Sequence, residues 1–236
     1  MTLRINCWSG PRNISTALMY SFRERSDTTV VDEPLYAHYL RVTDRDHPGR
    51  DQVLNAQNSN GEVVVRDVLL GEYNSDVVFF KQMAHHLIGL NEDSLVGFKN
   101  ILLTRDPRDM LPSLAIQLPD ATLADTGLAN QVHLLNSIVE HGEKPIVIDS
   151  SALLGNPESF LHSLCDRLDI KQDPSMLSWA AGPKPEDGVW APFWYQNVHS
   201  STGFDRGLPS RRTVPSNLVP VLDEAIGLFN RLIEFA

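Results

Sequence analysis

Two short stretches of this 236-residue chain carry residue types suited to holding an anionic group. The first is Ser9-Gly10-Pro11-Arg12-Asn13-Ile14-Ser15-Thr16, a turn signal between an apolar run (3–8) and a segment of helical spacing (13–25). A helix starting there offers unpaired backbone N–H groups and the positive end of its dipole. Arg12 would add a formal charge, and Ser15 and Thr16 hydroxyl donors; a plain capped helix after a turn reads the same way. The second stretch is Ile101-Leu102-Leu103-Thr104-Arg105-Asp106-Pro107-Arg108-Asp109-Met110-Leu111-Pro112-Ser113. It sets Arg105 at the end of an apolar run and Ser113 eight positions later.

Three sharper chemistries fail on spacing. A Walker A loop needs G-x-x-x-x-G-K-[ST], but Ser15 stands five places after Gly10 and no lysine follows. A thiol-phosphatase loop needs five residues between Cys and Arg, whereas Cys7 and Arg12 enclose four. Cys7 therefore reads as a small core residue. The adjacent His85 and His86 belong to no His-Glu-x-x-His or Cys-x-x-Cys pattern, so no metal site is expected.

These residues must be held by regular elements. Apolar runs at 3–8, 29–32, 77–81, 101–104 and 145–149 read as strands. Helical patterns at 13–25, 107–117, 124–141, 156–168 and 216–235 lie between and after them. Strands separated by helices imply right-handed crossovers and an α/β, doubly wound, mainly parallel sheet in three layers. Residues 41–62, which are polar, and 179–215, rich in Pro, Gly and Trp, escape this pattern and read as binding loops or lids. No linker or repeat divides the chain, so 1–236 is expected to be one domain. In such sheets the ligand sits beyond the carboxyl ends of the strands, where Arg12 and Arg105 fall.

Taken together and in this order, the two stretches resemble the sulfotransferase superfamily. The first is similar to its phosphosulfate-binding loop; Arg105 and Ser113 match its 3′-phosphate pair in spacing and in the Arg-x-Pro-x-Asp continuation. The resemblance is good over 3–36 and 77–115 and general elsewhere. It implies a P-loop-like fold and transfer of a sulfuryl group from PAPS (3′-phosphoadenosine-5′-phosphosulfate), leaving PAP, to a hydroxyl or amine of a small or peptide-like acceptor, without a metal. It also implies donor binding by Arg12, Asn13, Ile14, Ser15, Thr16, Arg105 and Ser113, with Arg211 and Arg212 standing where one branch has a basic loop.

The resemblance leaves the base open. Glu33, in Val30-Val31-Asp32-Glu33-Pro34, stands where some branches carry a catalytic Glu, though Asp32 and Glu33 also read as a polar strand end. Another branch uses a His two places after a strand-end Lys; here Met83 occupies that place, with His85 and His86 just beyond. Lys81 reads as a lone cation able to bridge donor and leaving-group oxygens. The segment Trp190-Ala191-Pro192-Phe193-Trp194-Tyr195-Gln196-Asn197-Val198-His199 reads as an acceptor-pocket wall or lid, or as satellite core. A non-catalytic nucleotide-binding protein and an ATP-dependent P-loop kinase are the alternatives.

Composition narrows the partners. Thirty acidic against 20 basic residues give a net charge of −10, which speaks against general binding to nucleic acid or an anionic membrane. Two cysteines, no apolar run near 20 residues and no leader-like start suggest a cytoplasmic chain that begins where it is written. A homo-oligomer is left open.

Overall fold

The computed structural model describes residues 2–204 and 213–236. Five strands form one parallel sheet: β1 (Leu3–Ser9), β2 (Thr28–Asp32), β3 (Val77–Met83), β4 (Lys99–Thr104) and β5 (Ile146–Asp149). Their order is β2-β3-β1-β4-β5, with β1 in the centre. The α/β doubly wound expectation is met, with strand ends shifted by one or two residues.

Both faces of the sheet are covered, so its strands alternate between two apolar cores rather than between core and water. Ile5, Cys7, Val77, Phe79, Ile101, Leu103 and Ile148 point to one side. There they meet helix α1 (Ser15–Arg23) and a second helix, Pro157–Leu168, through Leu18, Phe22, Leu161 and Leu164. Phe22 stacks on Phe79 with ring centroids 4.3 Å apart; full burial of such a ring is worth about 1.5–3 kcal/mol. Trp8, Val78, Phe80, Leu102 and Val147 point to the other side, against the helices Pro107–Leu114, Leu128–Glu140 and Val219–Ile233.

Residues 41–62 differ from expectation. They hold the end of α2 (Tyr36–Thr43) and all of α3 (Arg50–Ala56), joined through Asp44, whose left-handed conformation ends α2. Only Val53 of α3 is buried, so no apolar period marks this helix in the sequence. Residues 179–204 stay largely irregular, with single helical turns at Ala191–Trp194 and Gln196–His199. Trp190, Ala191 and Tyr195 pack with Tyr36, Tyr39 and Leu40 into a third, smaller core over the carboxyl end of the sheet.

The turn after β1 is fixed by close backbone packing. A Cβ on Gly10 would lie 2.4 Å from the Thr126 carbonyl oxygen, so only glycine fits without displacing the loop. Gly10→Ala is expected to destabilise the fold by about 1–3 kcal/mol. Gly227 lies in the helix Val219–Ile233 with open space around its Cα, so Gly227→Ala should instead stabilise by about 0.5–1 kcal/mol. Thermal denaturation of the two variants checks both signs.

Candidate active site

The carboxyl ends of β1, β2 and β3 converge on an open cleft. A roomier groove shares part of its lining. Arg12, Asn13, Thr16, Trp194 and Tyr195 line both.

Helix α1 begins without a side-chain cap and without an acidic residue in its first turn. By contrast, Asp106 caps the helix Pro107–Leu114 and Asn156 caps Pro157–Leu168. Ser15 and Thr16 line the cleft and make no side-chain hydrogen bond within the described residues. The two sequence stretches meet at this helix end. Arg12 Nε donates to Ser113 Oγ at 3.0 Å, and Arg105 Nη1 donates to the Arg12 carbonyl at 2.7 Å. Arg105 and Ser113 line the outer groove. Burial lowers the Arg105 guanidinium from its usual range, only partly offset by Asp109 and Asp106, and among the described residues it makes no ion pair. An anion in the groove would relieve that cost. Asn13 is drawn inward, its Nδ2 donating to the Leu103 carbonyl at 2.9 Å, while Ile14 serves as the N-cap residue and lines the groove. Arg211 and Arg212 lie outside the described residues.

On the opposite wall the expected lone cation is an ion pair. Parallel pairing of β2 with β3 sets Asp32 beside Lys81. The Lys81 ammonium, 1% exposed, donates to Asp32 Oδ1 at 3.0 Å, to Glu33 Oε1, and to the Tyr195 hydroxyl at 2.7 Å. Its three N–H groups are thus committed within the protein, so Lys81 does not present the donors to ligand oxygens that its sequence position suggested. Tyr195 in turn donates to Asp32 and accepts from Trp190 Nε1 at 2.9 Å. Burial raises Glu33 above the usual carboxylate range despite Lys81, with Asp32 adding to the rise. Burial opposes charge on Lys81, but the two carboxylates prevail and hold it above its ordinary value.

Four non-glycine residues among those described have positive φ. Asp44 and Asp169 close helices, whereas Arg12 (φ 54°) and Glu33 (φ 39°) both line the cleft. Strained backbone of this kind clusters at functional sites.

His85 and His86 sit on one 3₁₀ turn, Ala84–Leu87, and both rings are buried in the cleft wall. His86 Nδ1 lies 3.9 Å from Glu33 Oε2, beyond hydrogen-bond reach. Burial pushes His85 down to about 3 and His86 well below the usual imidazole range, which makes both weak bases. Cys7 is buried in β1 with its thiol pushed up to about 12 by burial, opposite to what a nucleophile needs. Arg108 pairs with Asp106 at 2.6 Å on the helix surface.

With this geometry in place, comparison with known proteins is decisive for the family. The family model described as sulfotransferase domain matches residues 3–220. The chain belongs to the sulfotransferase-domain family. Two Arabidopsis thaliana proteins named branched-chain-amino-acid aminotransferase-like protein 1 and 2 are 43% and 39% identical to it over 229 residues. That match covers 97% of this chain and 41% of each relative, so the chain spans about two fifths of their length. Among solved structures, a sulfotransferase from Alicyclobacillus acidocaldarius aligns with 98% of this chain and 96% of its own at a TM-score of 0.56 and 11% identity. The sulfotransferase domain of the curacin biosynthetic pathway aligns with 100% of this chain and 92% of its own at 0.52 and 16%. These likenesses are of fold.

Within the family fold, sequence reasoning passed over Asp32, Tyr36, His47, Asp125 and the role of Tyr195. Tyr36 and Tyr39, three apart on one helix face, were the available signal. The Asp32–Lys81 pair needs the strand order, which no local pattern carries.

Removing the cation tests the site's electrostatics. Lys81→Met leaves two buried carboxylates without a counter-charge and should cost about 3–5 kcal/mol at neutral pH. Without Lys81, the burial that already raises Glu33 goes unopposed, so the variant keeps its stability below the ordinary carboxylate range and loses it as pH rises. Urea unfolding from pH 4 to 8 should show the gap to the parent chain widening with pH.

Proposed function

We propose that the protein transfers a sulfuryl group from PAPS to a hydroxyl acceptor, with Glu33 as the general base. The observation that carries this reading is the meeting of Arg12, Arg105 and Ser113 at the uncapped head of α1, with Arg12 and Glu33 lining the same cleft. The outer groove, with Arg105 and Ser113, would hold the nucleotide and its 3′-phosphate. The loop residues Arg12, Ser15 and Thr16 would hold the 5′ end.

When bound, the donor supplies an activated sulfuryl group on a phosphate leaving group. The acceptor hydroxyl gives its proton to Glu33, its oxygen bonds to sulfur, and the sulfur–oxygen bond to phosphate breaks with its electron pair leaving on PAP. Arg12 and the N–H groups of α1 face the charge that grows on that leaving oxygen. Glu33 suits the base role because burial raises its carboxyl above the ordinary carboxylate range while Lys81 anchors Oε1 and leaves Oε2 for the acceptor.

Two other readings fit less well. Kinase chemistry calls for a lysine reaching the phosphates, but Lys81, the lysine lining the cleft, is spent on protein partners. Amino-group transfer through a Schiff base needs a lysine of lowered pKa, and Lys81 is held high by Asp32 and Glu33.

Thermal unfolding with PAP, 5′-AMP and Mg-ATP in parallel tests the donor. PAP at about 100 times its Kd should stabilise by about 2.7 kcal/mol, or roughly 5–10 °C in Tm. Arg105→Ala should abolish the shift. A shift with Mg-ATP and none with PAP would overturn the reading. Glu33→Gln should keep the PAP shift and lower the transfer rate by about 10²–10⁴-fold; unchanged transfer would remove Glu33 as the base.

A further inference from the structure

Tyr195 carries a buried hydroxyl that the transfer step leaves unused, although charged groups surround it. The residue follows the helical turn Ala191–Trp194. Lys81 Nζ donates to its oxygen at 2.7 Å and Trp190 Nε1 at 2.9 Å. Those two N–H groups occupy both lone pairs of the oxygen, so the hydroxyl has only its one hydrogen left to give. Asp32 and Glu33 compete for it. Asp32 Oδ2 and Oδ1 lie at 2.8 and 2.9 Å, whereas Glu33 Oε1 lies at 3.3 Å. The shorter contacts assign the hydrogen to Asp32.

Asp32 and Glu33 share one ammonium, so Lys81 balances the charge of one carboxylate and not of both. The donors around the pair are unevenly divided. Asp32 collects Lys81, the Tyr195 hydroxyl and the Gly188 N–H at 3.1 Å. Glu33 Oε1 accepts from Lys81, and among the described residues Oε2 takes no hydrogen bond, with His86 Nδ1 3.9 Å away. The other groups on these sides do not redress the balance. Tyr36 of α2 faces Glu33 but shares its hydroxyl with His47 Nδ1. Tyr20 of α1, on the Asp32 side, donates to Asp187. Arg12 lines the same cleft as Glu33. Burial and the two carboxylates hold the Tyr195 phenol well above its ordinary range, so it remains a donor.

We propose that Tyr195 is a positioning residue: by committing its one hydrogen to Asp32, it leaves Glu33 as the carboxyl that receives the acceptor's proton. That proton passes from the acceptor hydroxyl to Glu33 Oε2, and the O–H bond of Tyr195 is neither broken nor made. This assignment rests on the transfer reaction proposed above. It adds to that reading the group that decides which of two adjacent carboxyls acts as the base.

The test is ¹³C NMR titration of the side-chain carboxyls in the full chain, from about pH 4 to 9, which needs no acceptor. In the parent chain the upper step of the pair should appear on Glu33 Cδ. Tyr195→Phe keeps the ring and removes the hydrogen, so the pair loses a donor that favours its ionised form. Its upper step should then move to higher pH by about one unit and spread onto Asp32 Cγ. Trp190→Phe frees a lone pair but keeps the hydrogen, and should leave the step within about 0.3 units. A parent step carried equally or mainly by Asp32 Cγ, an unmoved step in Tyr195→Phe, or an equal movement in Trp190→Phe would overturn the assignment. Should Tyr195→Phe fail to fold, the parent titration still decides, because it needs no variant. PAP added to the same samples reports separately on the donor: absence of binding would sink the sulfuryl-transfer reading, while the titration judges Tyr195.

Discussion

The rest of the site depends on one buried ammonium. Two consecutive carboxylates, Asp32 and Glu33, end strand β2 almost without solvent. Ionised carboxylates in such a place need a counter-charge and hydrogen bonds. Lys81 on the neighbouring strand supplies the charge, and Tyr195 and the Gly188 N–H supply further bonds to Asp32. The arrangement ties two strands to a segment more than 100 residues away in sequence. It thereby fixes Trp190 and Tyr195 as the far wall of the cleft.

The cations of the site divide their work by what surrounds them. Lys81 is enclosed by carboxylates and keeps Glu33 anchored. Among the described residues Arg105 is instead braced by a neutral group, the Arg12 backbone carbonyl. Such bonds orient a guanidinium without cancelling its charge, which suits a groove that would take an anion. The uncapped start of α1 acts in the same direction, since its N–H groups face the cleft and not a carboxylate cap.

Strain follows this division. Arg12 and Glu33 both hold left-handed backbone conformations that cost most residues about 1–3 kcal/mol. Arg12 is held there by Ser113, Trp194 and Arg105, and Glu33 by Lys81 and by its own N–H on the Lys81 carbonyl at 2.8 Å. Solved sulfotransferases share this fold at 11–16% identity. An alternating apolar sheet survives such divergence because many apolar residues pack equally well, whereas the polar cluster depends on particular atoms.

The sequence by itself determined the alternation of strands and helices, and with it the parallel sheet, because apolar periodicity is a local property of the chain. It also set Arg12, Glu33 and Arg105 just beyond strand ends, Lys81 near the end of another strand, and Ser113 on the helix after Arg105. Helix α3 was illegible because it buries a single residue. Only the tertiary structure decided which junction residues meet: that Arg12 reaches Ser113, that Lys81 is consumed by Asp32 and Glu33, and that His47 joins His85 and His86 in one wall. Those contacts follow from strand order and from the path of residues 179–204 over the sheet. Both are set by how whole elements pack, and no short stretch of sequence carries that information.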